Sequence, residues 1–310
     1  MIHQPHSRNF SVKTRLTLFY CLLLTFSSLD IRAEETSVWK RDPGKLDLAS
    51  VNALVIDTKT NQILYSRNPD AVVPIASVSK LMTAMVILDA NQPMDEIIKV
   101  NISQTKELKN VYSRVRLNSE LPRKEMLLLT LMSSENRAAS TLAHHYPGGY
   151  AKFMTAMNAK ARALGLNHTH FVEPTGLSYS NVSTPRDLAK MIQAAARYPM
   201  IKQLSTTPNK DAHFHKPNYA LSFYNTNPLV RQNKWEIHLS KTGFNNKAGH
   251  CLVMLTDIQD RTVAIVLLDS FGKRTHAGDA VRVKNWLETG RGGVVPAAAK
   301  SYVMRKTRNT

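Results

Sequence analysis

Strand patterns sit at the two ends of this 310-residue chain and helical patterns fill the middle. That division constrains the fold more than any other feature. Ala53-Leu54-Val55-Ile56-Asp57 reads as a strand, Lys59-Thr60-Asn61 as a turn and Gln62-Ile63-Leu64-Tyr65 as its hairpin partner. Three more strands come late, at Ile237 to Ser240, Cys251 to Leu255 and Thr262 to Leu268. Between the two groups lie an apolar helix over Leu81 to Leu88, another over Lys124 to Met132 and a further helical stretch from Arg137 to His145. Tyr150 to Leu164 places Phe153, Met157, Ala161 and Leu164 on one helical face, with Gly165 at the C-cap. Thr184-Pro185-Arg186-Asp187 opens a further helix with a hydroxyl cap, proline at the first position and an acid in the first turn. A helix from His276 to Thr289 closes the pattern. The expected fold class is α/β of the α+β kind: a central antiparallel sheet flanked by helices, its halves joined by a helical insertion. Residues 95–116 and 199–228 carry no clear period.

The head of the first helix carries a chemical pattern. Ser77 and Lys80 stand three apart in Pro74-Ile75-Ala76-Ser77-Val78-Ser79-Lys80, so a helical turn puts hydroxyl and amine on one face. At a helix start the free backbone N–H groups and the dipole favour developing negative charge. Ser77 is thus a candidate nucleophile and Lys80 its base. A lone Ser-x-x-Lys pair arises by chance in a chain of this length, so two further segments matter. Ser134-Glu135-Asn136 sits at the joint between two apolar helices, and Lys241-Thr242-Gly243 ends the first late strand. Lys-Thr-Gly is a roughly one-in-several-thousand tripeptide by composition.

Ser-x-x-Lys, Ser-x-Asn and Lys-Thr-Gly in that order resemble penicillin-binding proteins and serine β-lactamases. With Met132-Ser133-Ser134-Glu135-Asn136-Arg137-Ala138, Glu173-Pro174-Thr175-Gly176-Leu177 and Lys241-Thr242-Gly243-Phe244, the likeness is to the low-molecular-mass D-alanyl-D-alanine peptidases. The resemblance implies a β-lactamase-like, transpeptidase-like fold and a serine endopeptidase that opens D-alanyl cross-links in peptidoglycan through an acyl-enzyme on Ser77. A D,D-carboxypeptidase of the same family is the alternative, and a non-catalytic cell-wall or penicillin-binding module is the reading from a different class. Catalytic roles fall to Ser77, Lys80 and Ser134; substrate binding falls to Asn136, Lys241, Thr242 and Gly243. The backbone N–H groups of Ser77 and Phe244 form the implied oxyanion hole. The resemblance calls for no metal and no organic cofactor. It gives the Glu173 to Leu177 segment a scaffolding role. Two departures from the family pattern stand out: Glu135 where Asp is common, and Asn245 where Thr or Ser helps hold a carboxylate. Two strands and a closing helix use most of the chain after Gly243, so no C-terminal β domain is expected.

Arg8, Lys13 and Arg15 precede an apolar run from Leu16 to Phe26, too short to span a bilayer and suited to a secretory signal, with cleavage near Ala33. The expected organisation is a signal peptide over 1–33, a peptidase domain over 34–290 and a basic, mobile tail over 291–310. Periplasmic location follows. Cys21 lies in the signal segment and Cys251 alone remains, so no internal disulfide is expected. The formal charge is +18, about +15 without the signal, which favours anionic partners. Scattered basic residues with no binding signature argue against nucleic acid. The expected partners are peptidoglycan cross-link peptides and β-lactams as acylating inhibitors, with peripheral association to membrane or cell wall. The histidine pairs His144-His145, His168-x-His170 and His213-x-His215 lack the cysteines or carboxylates that complete a ligand set.

Overall fold

The computed structural model describes residues 40–308; the signal segment expected over 1–33 lies outside them. Eight consecutive buried residues make β1 (Ser50–Asp57), and β2 (Ile63–Arg67) returns beside it. The insertion begins with β3 (Val73–Pro74), a single 3-10 turn at Ala76–Ser79 and α1 (Lys80–Asp89). In the stretch that sequence left without a period lies the short strand β4 (Ile97–Lys99), which pairs with β5 (Glu120–Pro122) just beyond it. Helices α2 (Arg123–Met132), α3 (Asn136–His144) and α4 (Gly149–Ala163) follow. Strand β6 (Val182–Ser183) pairs with β3 and leads into α5 (Pro185–Ala195), which Thr184 caps by accepting the Asp187 N–H at 3.1 Å. The second stretch without a period forms α6 (Pro199–Ser205), a hairpin of β7 (Asn209–Phe214) and β8 (Tyr219–Tyr224), and α7 (Pro228–Gln232).

The chain then completes the sheet with β9 (Ile237–Asn245), β10 (Gly249–Ile258) and β11 (Arg261–Ser270). The order is β2-β1-β11-β10-β9, all neighbours antiparallel, so the first strand lies beside the last and β9 is an edge. Strand period 2 sorts the core into two layers. Leu54, Val253, Leu255, Val266 and Leu268 pack with the inserted helices, while Val55, Leu252, Met254, Ile265 and Leu267 pack with α8 (Thr275–Thr289) and its Trp286. A sheet covered on both faces reads as unbroken apolar runs, as these strands do.

The tail departs from its expected mobility. Residues Ala297–Arg308 form α9. Lys300 pairs with Asp47 at 3.0 Å, Lys306 with Asp269 at 2.9 Å, and the Tyr302 hydroxyl donates to Asp269 at 2.5 Å. The basic residues that suggested a solvated tail instead meet acids of the body, and the buried Ala299 lies against Ala49 and Val295.

Candidate active site

Three distant segments converge beside edge strand β9. The 3-10 turn holding Ser77 runs into α1, whose residues from Lys80 to Ile87 are all buried. This helix therefore carries Lys80 into the core while the half-buried Ser77 stays at the opening. Lys80 Nζ lies 2.8 Å from Ser77 Oγ, 2.7 Å from Asn136 Oδ1 and 2.5 Å from the Thr175 carbonyl. The last two partners only accept hydrogen bonds. An uncharged amine has two N–H groups and one lone pair; the two acceptors take the N–H groups, and the lone pair is left facing the Ser77 hydroxyl. Burial lowers the Lys80 pKa to about 7, against the opposing charges of Glu173 and Glu135.

Lys241 repeats the arrangement from β9. Its buried Nζ donates to Ser134 Oγ at 2.9 Å and to the Thr242 carbonyl at 2.8 Å. Burial first, and the nearby Lys80 charge second, push it well below the ordinary lysine value. Each half-buried serine thus sits in front of a buried amine, and no partner of either amine is a carboxylate.

Ser134 owes its position to the joint between α2 and α3. Its φ is +60°, in the left-handed region that costs a non-glycine residue about 1–3 kcal/mol. Neighbours hold it there: the Glu135 N–H donates to the Leu129 carbonyl at 3.0 Å, and the Glu135 carboxylate caps α3 through the Arg137 N–H at 3.0 Å. Ser113 also donates to that carboxylate at 2.9 Å. Glu135 is therefore engaged as a cap, which is a task Asp performs equally.

Glu173 builds the floor. Its buried carboxylate accepts from the Thr175 N–H at 2.6 Å, the Thr175 hydroxyl at 2.5 Å, the Gly176 N–H at 2.6 Å, the Ser178 N–H at 3.3 Å and Asn181 Nδ2 at 3.0 Å. These bonds fold the loop so that the Thr175 carbonyl meets Lys80, and Thr83 on α1 donates to the Pro174 carbonyl at 2.7 Å. Burial raises the Glu173 pKa despite the donors. Gly176, at φ +83°, lies so close to the Ser77 turn that a Cβ there would stand 2.0 Å from the Ala76 carbonyl oxygen and 2.6 Å from the Ser77 nitrogen. Gly243 approaches from the other side, where a Cβ would stand 3.0 Å from the Ser77 nitrogen. The Ser77 N–H is thus packed between two glycines.

The remaining residues of the motif divide. Thr242 Oγ1 donates to Thr226 Oγ1 at 2.6 Å, and the Thr226 N–H reaches the Met132 carbonyl at 3.0 Å. Phe244 is exposed, with its ring stacked on His250 at 4.3 Å. Asn245, the departure noted after Lys-Thr-Gly, is turned to the backbone around it. It is buried, Nδ2 donates to the Gly176 carbonyl at 3.3 Å, and Oδ1 accepts the N–H groups of Lys247 at 3.1 Å and Ala248 at 2.7 Å. Its side chain is used in the β9–β10 turn. Thr226 escaped sequence reading, as did the contact that the Thr175 carbonyl of the scaffolding segment makes to Lys80, since both act on segments more than 60 residues away.

A serine backed by a buried lysine of lowered pKa, a second serine backed by a second such lysine, and a strand edge bearing Lys-Thr-Gly define the class of penicillin-interacting serine acyl enzymes. Residues 38–272 match the Peptidase_S11 family, D-alanyl-D-alanine carboxypeptidase. The chain belongs to that family and is a serine D,D-peptidase of the low-molecular-mass penicillin-binding type. It is 56% identical over 294 residues to the D-alanyl-D-alanine endopeptidase of Escherichia coli, covering 95% of each chain. It is 56% identical over 266 residues to that of Pseudomonas aeruginosa, covering 86% of each. Among solved structures, the Streptomyces K15 DD-transpeptidase superposes with a TM-score of 0.72 at 25% identity, covering 79% of this chain and 98% of that one. Penicillin-binding protein D2 of Listeria monocytogenes, in its ampicillin-bound form, gives 0.64 at 27% identity, covering 76% and 96%.

The packing of Gly176 yields a specific expectation. Gly176→Ala forces the floor loop away from the Ser77 turn, costing about 2–3 kcal/mol and slowing acylation by a fluorescent penicillin at least tenfold. Thermal unfolding and the labelling rate measure the two effects.

Proposed function

We propose that this protein is an endopeptidase that hydrolyses D-alanyl cross-links in peptidoglycan, with Ser77 as nucleophile and Lys80 as its general base. The observation that carries the reading is the set of three contacts around Lys80 Nζ, which leaves its lone pair for the Ser77 proton. Ser77 Oγ attacks the carbonyl of the penultimate D-alanine and its proton passes to Lys80. The tetrahedral oxyanion forms against the N–H groups of Ser77 and Phe244, an arrangement typically worth about a hundredfold or more per donor. The C–N bond breaks as the leaving amine takes that proton, passed from Lys80 by way of Ser134, which Lys241 holds in place; Lys80 is thereby free to take a proton from the water of the second step. Water then attacks the acyl-enzyme ester and releases Ser77. Asn136 serves both Lys80 and the substrate amide, while Thr242 and the edge of β9 at Gly243 line the peptide. β-Lactams acylate the same serine, as expected for a chain that resembles a protein solved in an ampicillin-bound form.

We place the enzyme in the periplasm, delivered by the segment over 1–33. Its positive charge suits the anionic cell wall and the membrane surface. Endopeptidase action is favoured over trimming by the engagement of Asn245. With its amide committed to the Gly176 carbonyl, one donor for a terminal carboxylate is lost from the cleft. A hydrogen bond to a charged group is worth about 1.5–3 kcal/mol, or roughly tenfold or more in discrimination.

Two experiments follow. The Lys80 pKa lies near 7 and the base acts when unprotonated, so acylation by a fluorescent penicillin rises through pH 7 and levels above it. Label is absent in Ser77→Ala, and the rate falls by ~10²–10⁴-fold in Lys80→Met; a wild-type rate independent of pH between 5.5 and 8.5 contradicts the assignment of the base. Second, purified enzyme opens cross-linked muropeptide dimers at least tenfold faster than it releases D-alanine from pentapeptide, read by chromatography of the products. Equal rates return the choice to the carboxypeptidase.

A further inference from the structure

The β9–β10 hairpin carries a second cluster of chemical groups, outside the cleft and absent from the mechanism. One ligand atom from each of Glu236, His238 and Asp257 lies within 4.8 Å of the other two. The cluster is one imidazole and two carboxylates, the mixed nitrogen and oxygen set that zinc accepts.

Backbone and side-chain bonds hold two of the three in place. A register shift between Leu255 and Thr256 brings the Glu236 carbonyl within reach of both the Asp257 N–H, at 3.0 Å, and the Thr256 hydroxyl, at 2.8 Å. The start of β9 is thereby clasped to the end of β10. Thr262, opposite Asp257 on β11, donates its hydroxyl to Oδ1 at 2.7 Å. That leaves Oδ2 turned to His238 Nε2 at 2.9 Å. A carboxylate fixed through one oxygen while the other faces an imidazole is how outer partners orient metal ligands.

One imidazole offsets at most one carboxylate, and only when protonated. At neutral pH the exposed Glu236 adds a second negative group beside the first. A divalent cation satisfies both and takes the imidazole in its neutral form. Zinc bonds of about 2.0–2.2 Å put ligand atoms roughly 3–3.5 Å apart. Binding an ion therefore requires the three side chains to draw in from their present separations of up to 4.8 Å.

We propose that Glu236, His238 and Asp257 form a surface zinc site, completed by water, that fastens the start of strand β9 to β10. His238 stands three residues before Lys241 on the same strand, so the metal stabilises the edge that carries Lys-Thr-Gly without touching the cleft. The inference is independent of the peptidase reading.

The test titrates Zn²⁺ into the metal-stripped protein, free of any histidine tag, at pH 7.5 by calorimetry, with thermal unfolding in parallel. The expected result is one ion per chain with Kd on the order of micromolar and a melting temperature that rises with zinc concentration. His238→Ala and the near-isosteric Glu236→Gln each weaken binding at least tenfold and remove the thermal shift, while Lys202→Ala, by removing a cation whose charge reaches Asp257, tightens it. Penicillin labelling is unchanged in all three variants. No binding by the wild type at 100-fold that concentration overturns the proposal. So does binding of undiminished affinity in His238→Ala, which assigns the ion to other histidines.

Discussion

Two lysines are held out of water with no carboxylate hydrogen-bonded to either among the described residues, and the rest of this molecule is arranged around that constraint. An ammonium buried without an anion costs several kcal/mol, so the group gives up its proton instead. Lys80 is drawn into the core because it begins a helix whose next seven residues are all buried. Lys241 is drawn in because it lies on a strand packed against the Ser77 turn. Each ends beside a serine hydroxyl, and each positive charge would raise the cost of the other.

Holding that arrangement requires backbone that ordinary packing does not supply. Ala76 and Ser134 both have positive φ, at +47° and +60°. Such strain persists only where surrounding bonds determine it. Here the Glu173 carboxylate gathers five donors from its own loop and Asn181, and Gly176 and Gly243 allow two main chains to press on the Ser77 turn. The acid that might be mistaken for a second base is thus the member that shapes the floor. Asn245 likewise serves the turn: its amide ties β9–β10 to the Gly176 carbonyl while its oxygen accepts from the turn backbone.

Much of this was legible in the sequence where the information is local or repeated. Apolar runs at the two ends announced five strands, and the Thr184 to Asp187 cap announced where α5 begins. The three motifs announced which segments meet, because a hydroxyl and an amine three apart already share a helical face. What sequence hid depends on contacts between distant segments. Thr175 reaches Lys80 across 95 positions, and Thr226 meets Met132 across 94. The β7–β8 hairpin alternates exposed with buried or half-buried positions, but the half-buried Lys210 and the exposed Ala220 and Tyr224 blur that alternation in the sequence. Helix α9 is basic and alanine-rich, and only its acidic partners Asp47 and Asp269 distinguish it from a solvated tail. Glu236 and His238 meet Asp257 only through the shifted register of one strand pair.

Everything at the site rests on burial holding the Lys80 pKa at about 7, far below the ordinary lysine value, so that the unprotonated amine is well populated at neutral pH. That lowered pKa is tested most directly by following the ¹⁵N resonances of labelled lysine side chains through a pH titration, with Lys80→Arg used to identify the signal. The account expects one lysine nitrogen, absent in that variant, to titrate near pH 7. A Lys80 signal that stays protonated until about pH 10, as an exposed lysine does, contradicts it.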